Sequence, residues 1–141
     1  MASRSRALAA VACLFLLLPG AAIAAEIGVG SGAPPNKVIR FAGSESSGAV
    51  TFRLLIWSGS GLPTSREVGG FTFADPCAAI GSTEVKVRIK VGSNLRFNYL
   101  VHGVRVSGGL NKALTQAGGS VRVIGTGCDT GSLHFTADRT H

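Results

Sequence analysis

Between Glu84 and Val101 the chain alternates apolar and polar residues: Glu-Val-Lys-Val-Arg-Ile-Lys-Val, a break at Gly92-Ser93-Asn94, then Leu-Arg-Phe-Asn-Tyr-Leu-Val. A period of two is the signature of a half-buried β-strand, and two such runs around a Gly/Asn break predict a β-hairpin. A three-residue loop, with Asn94 taking the left-handed conformation, sets Val91 opposite Leu95, Ile89 opposite Phe97, Val87 opposite Tyr99 and Val85 opposite Val101. Apolar residues then meet across one face. A two-residue loop would set Val91 against Arg96 and mix the faces. The other face carries Lys90 opposite Arg96, Arg88 opposite Asn98, Lys86 opposite Leu100 and Glu84 opposite His102. Like charges directly opposite repel, so Lys86, Arg88, Lys90 and Arg96 form a candidate anion-binding face, which Arg53, Arg105 or Arg122 extend if their strands adjoin it. A solvated outer sheet face protected against edge pairing by its lysines is the plainer reading of the same residues.

The N-terminus reads as a targeting segment. Arg4 and Arg6 precede an apolar run from Ala7 to Leu18, Pro19-Gly20 breaks it, and Ala22-Ile23-Ala24 has the small-x-small form of a cleavage site. The run is short for a membrane span, and Cys13 lies too deep inside it for a lipidation site. Residues 1–24 are therefore expected to be a signal peptide, residues 25–36, rich in Gly, Ser and Pro, a flexible arm, and residues 37–141 one domain, secreted or periplasmic. No transmembrane segment remains after the leader. Its loss lowers the Lys and Arg count from 14 to 12 against 7 acidic residues, so the exported chain stays basic. That balance favours an anionic polysaccharide, a lipid headgroup surface or an acidic protein as partner. Nucleic acid is disfavoured by export and by the absence of aromatic residues interleaved with the basic ones.

Cys77 and Cys128 are the cysteines left after the leader, and in an oxidising compartment an even pair predicts a disulfide. It closes about 50 residues, worth roughly 4 kcal/mol in the chain-entropy model.

The remaining chain has further short strand patterns: Lys37–Ala42, Ala49–Trp57, Arg66–Ala74, Val104–Val106, Ser120–Gly125 and Ser132–Ala137. The Val104–Val106 run reads as a continuation of the second hairpin strand through a bulge at Gly103. Leu110–Ala117 is the one helix-like stretch, short enough to be strand and turn instead. Trp57 reads as core or rim, with a sugar-stacking platform as the alternative. About seven or eight short strands between frequent turns predict an all-β fold, a small antiparallel β-sandwich or, alternatively, a small β-barrel, with at most one short helix.

Chemistry is sparse. Asp129-Thr130-Gly131 matches the triplet of aspartic proteases, but so few residues follow it that an ordinary turn is the better reading. No Gly-x-Ser-x-Gly elbow is present. Gly28-x-Gly30-x-Gly32 follows no strand and has the wrong spacing for a dinucleotide fingerprint. No C-x-x-C or His-x-His spacing predicts a metal, and no motif predicts a cofactor. The expected function is an exported, non-enzymatic binding or structural module acting through the basic face. The alternatives are a small hydrolase or metal-dependent enzyme built on Glu84 and His102, with His134 as a further ligand, and an enzyme inhibitor presenting Ser58–Pro63.

Overall fold

A computed structural model describes residues 33–141; the expected leader and residues 25–32 of the arm lie outside the described residues. Ten strands follow one another: β1 (Lys37–Glu45), β2 (Gly48–Gly59), β3 (Leu62–Ala74), β4 (Ser82–Val85), β5 (Ile89–Lys90), β6 (Arg96–Val101), β7 (Val104–Leu110), β8 (Gln116–Gly125), β9 (Cys128–Asp129) and β10 (Leu133–Thr140). The fold is all-β and antiparallel, as expected from the short alternating runs. Its strands run β4-β3-β2-β1-β10-β8-β7-β6, with β5 also on β3 and β9 on β8. This sheet curls into a half-barrel. A bridge between Val91 and Phe97 brings the β5 end against β6, joining the two sides of the sheet at one point.

Tight turns make the antiparallel path possible. Ser60-Gly61 joins β2 to β3, where Gly59 pairs with Leu62. His102-Gly103 joins β6 to β7 with φ of 50° and 77°, the two left-handed residues that a tight hairpin matching strand twist requires. Leu110–Ala117 is strand, turn and strand. Asn111 Oδ1 accepts from the backbone N–H of Thr115 and Gln116, and Leu110 and Ala117 face each other, both buried, in the β7–β8 register.

The concave side holds the core. Phe52 lies at its centre, stacked on Phe41 at 4.9 Å and Phe71 at 5.4 Å, with Phe97 and Phe135 at 6.2 and 6.5 Å. Phe73, Val50, Leu54, Val68, Val106 and Val121 complete the fully buried set. Alternation along β2 places Phe52, Leu54 and Ile56 inward, so Trp57 points away from this cluster. It is half-buried on the convex side, donates from Nε1 to the Ala33 carbonyl at 3.0 Å, and carries the Arg88 guanidinium 5.4 Å above its ring.

The hairpin expected over Glu84–Val101 is corrected. Its first run pairs with β3: Val85 faces Phe71, Glu84 faces Thr72 and Ile89 faces Val68. Its second run pairs with β7, so Tyr99 faces Val106. Val104–Val106 is therefore a separate, reversed strand and no continuation of β6. The two runs meet only at their tip, where Val91 faces Phe97 and not Leu95, and Leu95, not Asn94, is left-handed at φ 63°. A shift of two residues preserves the faces. Val85, Ile89 and Phe97 are accordingly buried as the alternation requires, whereas Val87, in the break between β4 and β5, is 49% exposed.

Cys77 and Cys128 form a disulfide with Cα atoms 5.9 Å apart. It links the β3–β4 connection to β9, which hangs on β8. Three strands lie between β3 and β8 in the sheet. In a flat sheet those two strands would be about 19 Å apart. Curling brings the two connections within reach of one crosslink. Beside it, Asp75 is buried and saturated, accepting from the Cys77 N–H at 2.8 Å and the Thr83 hydroxyl at 2.5 Å.

Candidate functional site: a glycine-floored cleft

Three rows of residues cross strands β6, β7, β8 and β10. Phe97, Gly108, Gly119 and Phe135 form the middle row, Asn98, Ser107, Ser120 and His134 the row on one side, and Arg96, Gly109, Gly118 and Thr136 the row on the other. Phe97 and Phe135 are buried, so the middle row faces the core and the outer rows face solvent.

The four glycines divide into two pairs with different reasons. A Cβ on Gly108 would lie 2.6 Å from the Phe97 ring, and one on Gly119 would lie 2.1 Å from the Ser107 carbonyl oxygen and 2.9 Å from the Phe135 ring. Those two are glycine because aromatic rings from the flanking strands lie over them. At Gly109 and Gly118 a Cβ would meet its nearest atoms at 3.6 and 3.5 Å, ordinary contact distances, and neither residue has positive φ. Nothing in the packing requires glycine there, although glycine within a strand is destabilising by roughly 0.5–1 kcal/mol relative to alanine. What the outward pair leaves is a bare backbone floor.

Over that floor lies an open cleft of about 810 Å³, walled by Lys90, Arg96, Asn94, Asn98, Ser107, Ser120 and His134. Among the described residues no acidic side chain lines it. Among the described residues the ion pairs are Arg88 with Glu67 and Arg122 with Asp129; Lys90 makes none, although Glu67 lies across from it in the β3–β5 register, and Arg96, across from Gly109, makes none either. The Ser107 and Ser120 hydroxyls lie 3.1 Å apart, leaving spare donor and acceptor capacity toward the cleft. The arrangement suits a ligand with anionic and hydroxyl groups: two cations to neutralise it, hydroxyls and amides to orient it, and a flat floor for close approach.

Of the four cations expected to share a face, the structure brings Lys90 and Arg96 to this cleft and leaves Lys86 and Arg88 elsewhere. The expected direct Lys90–Arg96 pairing is corrected: with Val91 facing Phe97, Arg96 lies across from Gly109 on β7. Lys86 is exposed in the β4–β5 break. Arg88 turns to Trp57 and to Glu67, 3.8 Å from its carboxylate. Of the possible extensions, Arg53 lies against the backbone at Gly70, and Arg105 and Arg122 face each other across β7 and β8. The acid/base pair expected of Glu84 and His102 is also corrected: Glu84, on β4, faces Thr72 of β3, and His102 forms the β6–β7 turn. His134 stands apart from both, in the cleft. Among the described residues no three His, Cys, Asp or Glu side chains cluster as metal ligands would. Alternation and composition do not single out Ser107, Ser120, Asn98 or the glycine floor as site residues. The signal was present as the doublets Gly108-Gly109 and Gly118-Gly119 beside two strand-like runs, since glycine within a strand marks close approach by a ligand or another backbone.

Asp129-Thr130-Gly131 is a structural turn. Arg122 grips Asp129 with two hydrogen bonds, Nε to Oδ1 at 3.0 Å and Nη2 to Oδ2 at 2.6 Å, and the Gly131 N–H adds a third at 2.9 Å. Arg122 first, then the Gly131 N–H, lowers the Asp129 carboxyl from its usual 3.8 to about 2. A carboxyl depressed on folding favours the folded state above its unfolded value, and that contribution fades as pH falls from 3.8 through about 2. The expected NMR titration midpoint of Asp129 is therefore about 2, and Arg122→Leu should return it toward 3.8. An unchanged midpoint in the variant would contradict the Arg122 assignment.

The chain matches no family model, no curated protein and no solved structure.

Proposed function

We propose that this protein is an exported, non-enzymatic binding module that holds an anionic polymer in the glycine-floored cleft. The observation that carries the reading is the outward pair Gly109 and Gly118. These glycines have no packing reason, and they underlie a cleft whose charged walls, Lys90 and Arg96, are both cationic and make no ion pair among the described residues. The N-terminal leader pattern and the disulfide support export to the periplasm or beyond the cell.

Retention on immobilised heparin tests the reading. Lys90→Glu with Arg96→Glu removes two positive charges from the cleft and adds two negative ones. It should elute at much lower salt than the parent, because the contacts are charge-driven and screened. Lys86→Glu with Arg88→Glu makes the same change in net charge outside the cleft and should shift elution far less. Equal shifts for the two double variants would show that net charge alone is responsible, and the cleft reading would fail.

A further inference from the structure

The cleft does not end at Arg96. A second hollow of about 450 Å³ continues from it, and the two share Asn94, Arg96, Gly109 and Gly118. Arg96 therefore stands at their junction, above the bare glycine pair. From the Ser120 row to the Gln116 row, four residues along β8, the combined groove runs about 13 Å in the strand direction.

The two hollows differ in chemistry. The first holds Lys90 in addition to Arg96. The second has no cation of its own: beyond Arg96 it offers the Thr136 hydroxyl, the Asn111 amide and the Gln116 amide. Asn111 is committed to its turn, its Oδ1 accepting two backbone N–H bonds and its Nδ2 donating to Thr115 Oγ1. Gln116 donates Nε2 to Asp138 Oδ1 at 3.1 Å, which leaves its carbonyl free and sets a carboxylate beside this end of the groove. An anion in the second hollow would meet that carboxylate, whereas an uncharged hydroxylated group would find one hydroxyl and one amide oxygen.

We propose, resting on the reading above, that the ligand is an acidic glycan in which charged and uncharged sugar units alternate. The charged unit sits between Lys90 and Arg96, and the uncharged neighbour lies over the Gly109–Gly118 floor toward Gln116 and Thr136. A peptide is a poorer occupant. β7 and β8, which carry the floor, are interior strands with both edges paired, so a peptide lying over the floor finds no free backbone ladder; the sheet edge is on β6, to the side of the groove.

Titration calorimetry on the mature chain with three probes tests this: glucuronic acid, a hyaluronan octasaccharide of alternating glucuronate and N-acetylglucosamine, and an octagalacturonate in which every unit is charged. The octasaccharide with alternating units should bind at least about tenfold more tightly than the monosaccharide and than the octagalacturonate, the size of one or two net hydrogen bonds. Gln116→Ala with Thr136→Ala should abolish that advantage and leave binding of glucuronic acid, which occupies only the Lys90–Arg96 hollow, unchanged. Gly118→Val, which fills the floor where a Cβ has room, should abolish binding of both octasaccharides while the melting temperature holds or rises; Gly109→Val provides the same test on the other strand. Octagalacturonate binding as tightly as the alternating chain would overturn the alternation and leave the anion cleft standing. Failure of both octasaccharides to bind the parent protein would overturn the cleft reading, and the inference with it.

Discussion

Phe52→Ala is expected to lower unfolding stability by about 4 kcal/mol, the range for emptying a fully packed aromatic site. Four other rings lie within 6.5 Å of the Phe52 centroid, contributed by β1, β3, β6 and β10. The substitution thus loosens contacts from strands on both sides of β2 at once, and the cavity is walled by large rigid rings that relax poorly into it. A domain of this size has only about 5–15 kcal/mol in total. Urea denaturation should show a much lower midpoint with little change in slope. Phe52→Leu, which keeps most of the volume, should lose less than half as much. A loss under about 1 kcal/mol for the alanine variant would mean that the rings do not share one packed cluster.

The second large effect is expected from the disulfide. Cys77→Ser with Cys128→Ser should destabilise by roughly 4 kcal/mol, since the crosslink spans 51 positions and restricts the unfolded chain accordingly. The double variant is the proper comparison because a single replacement leaves a free thiol. The effect has a structural component too. Asp75 is buried in the same connection and depends on the Cys77 N–H for one of its hydrogen bonds. If the connection drifts once the link is gone, that carboxylate loses an acceptor contact it cannot replace without water. The melting temperature should fall by more than ten degrees, about what this loss implies for a domain near 100 residues. Reduction of the parent protein should reproduce the fall. Equal melting temperatures for oxidised and reduced protein would rule out a stabilising role.

The two double charge variants and the glycine-to-valine variants address a different property. Gly109 and Gly118 sit where a side chain has room, so their replacement separates the cleft from the fold. Gly108 and Gly119 are unsuitable for that purpose: rings and neighbouring backbone occupy the space a Cβ needs.

The alternation of apolar and polar residues from Glu84 to Val101 determined the inward face without knowledge of any neighbouring strand, except at Val87 and Val101, which are 49% and 41% exposed. Val85, Ile89 and Phe97 are buried, and Lys86, Arg88, Lys90 and Arg96 point out. The reason is that a strand's period is two wherever it lies in a sheet. The all-β class follows from the same local signal repeated along the chain. Which strand lies beside which is decided differently. Pairing depends on how whole strands fit side by side, and a shift of two residues preserves every face, so the pattern carries no penalty that distinguishes one partner from another. The chain therefore spends Val85 and Ile89 on β3, and Tyr99 on Val106, and keeps only the Val91–Phe97 tip of the hairpin that the pattern implies. Most of the cleft belongs to that tertiary choice. Its floor needs β7 beside β8, its aromatic supports need β6 and β10 on either side, and its cations meet because the curled sheet returns β5 to β6. Lys90 and Arg96 are close in sequence and share the local hairpin signal, but the strands that carry the floor and the Ser107, Ser120 and His134 wall do not, and the curl of the sheet gathers them.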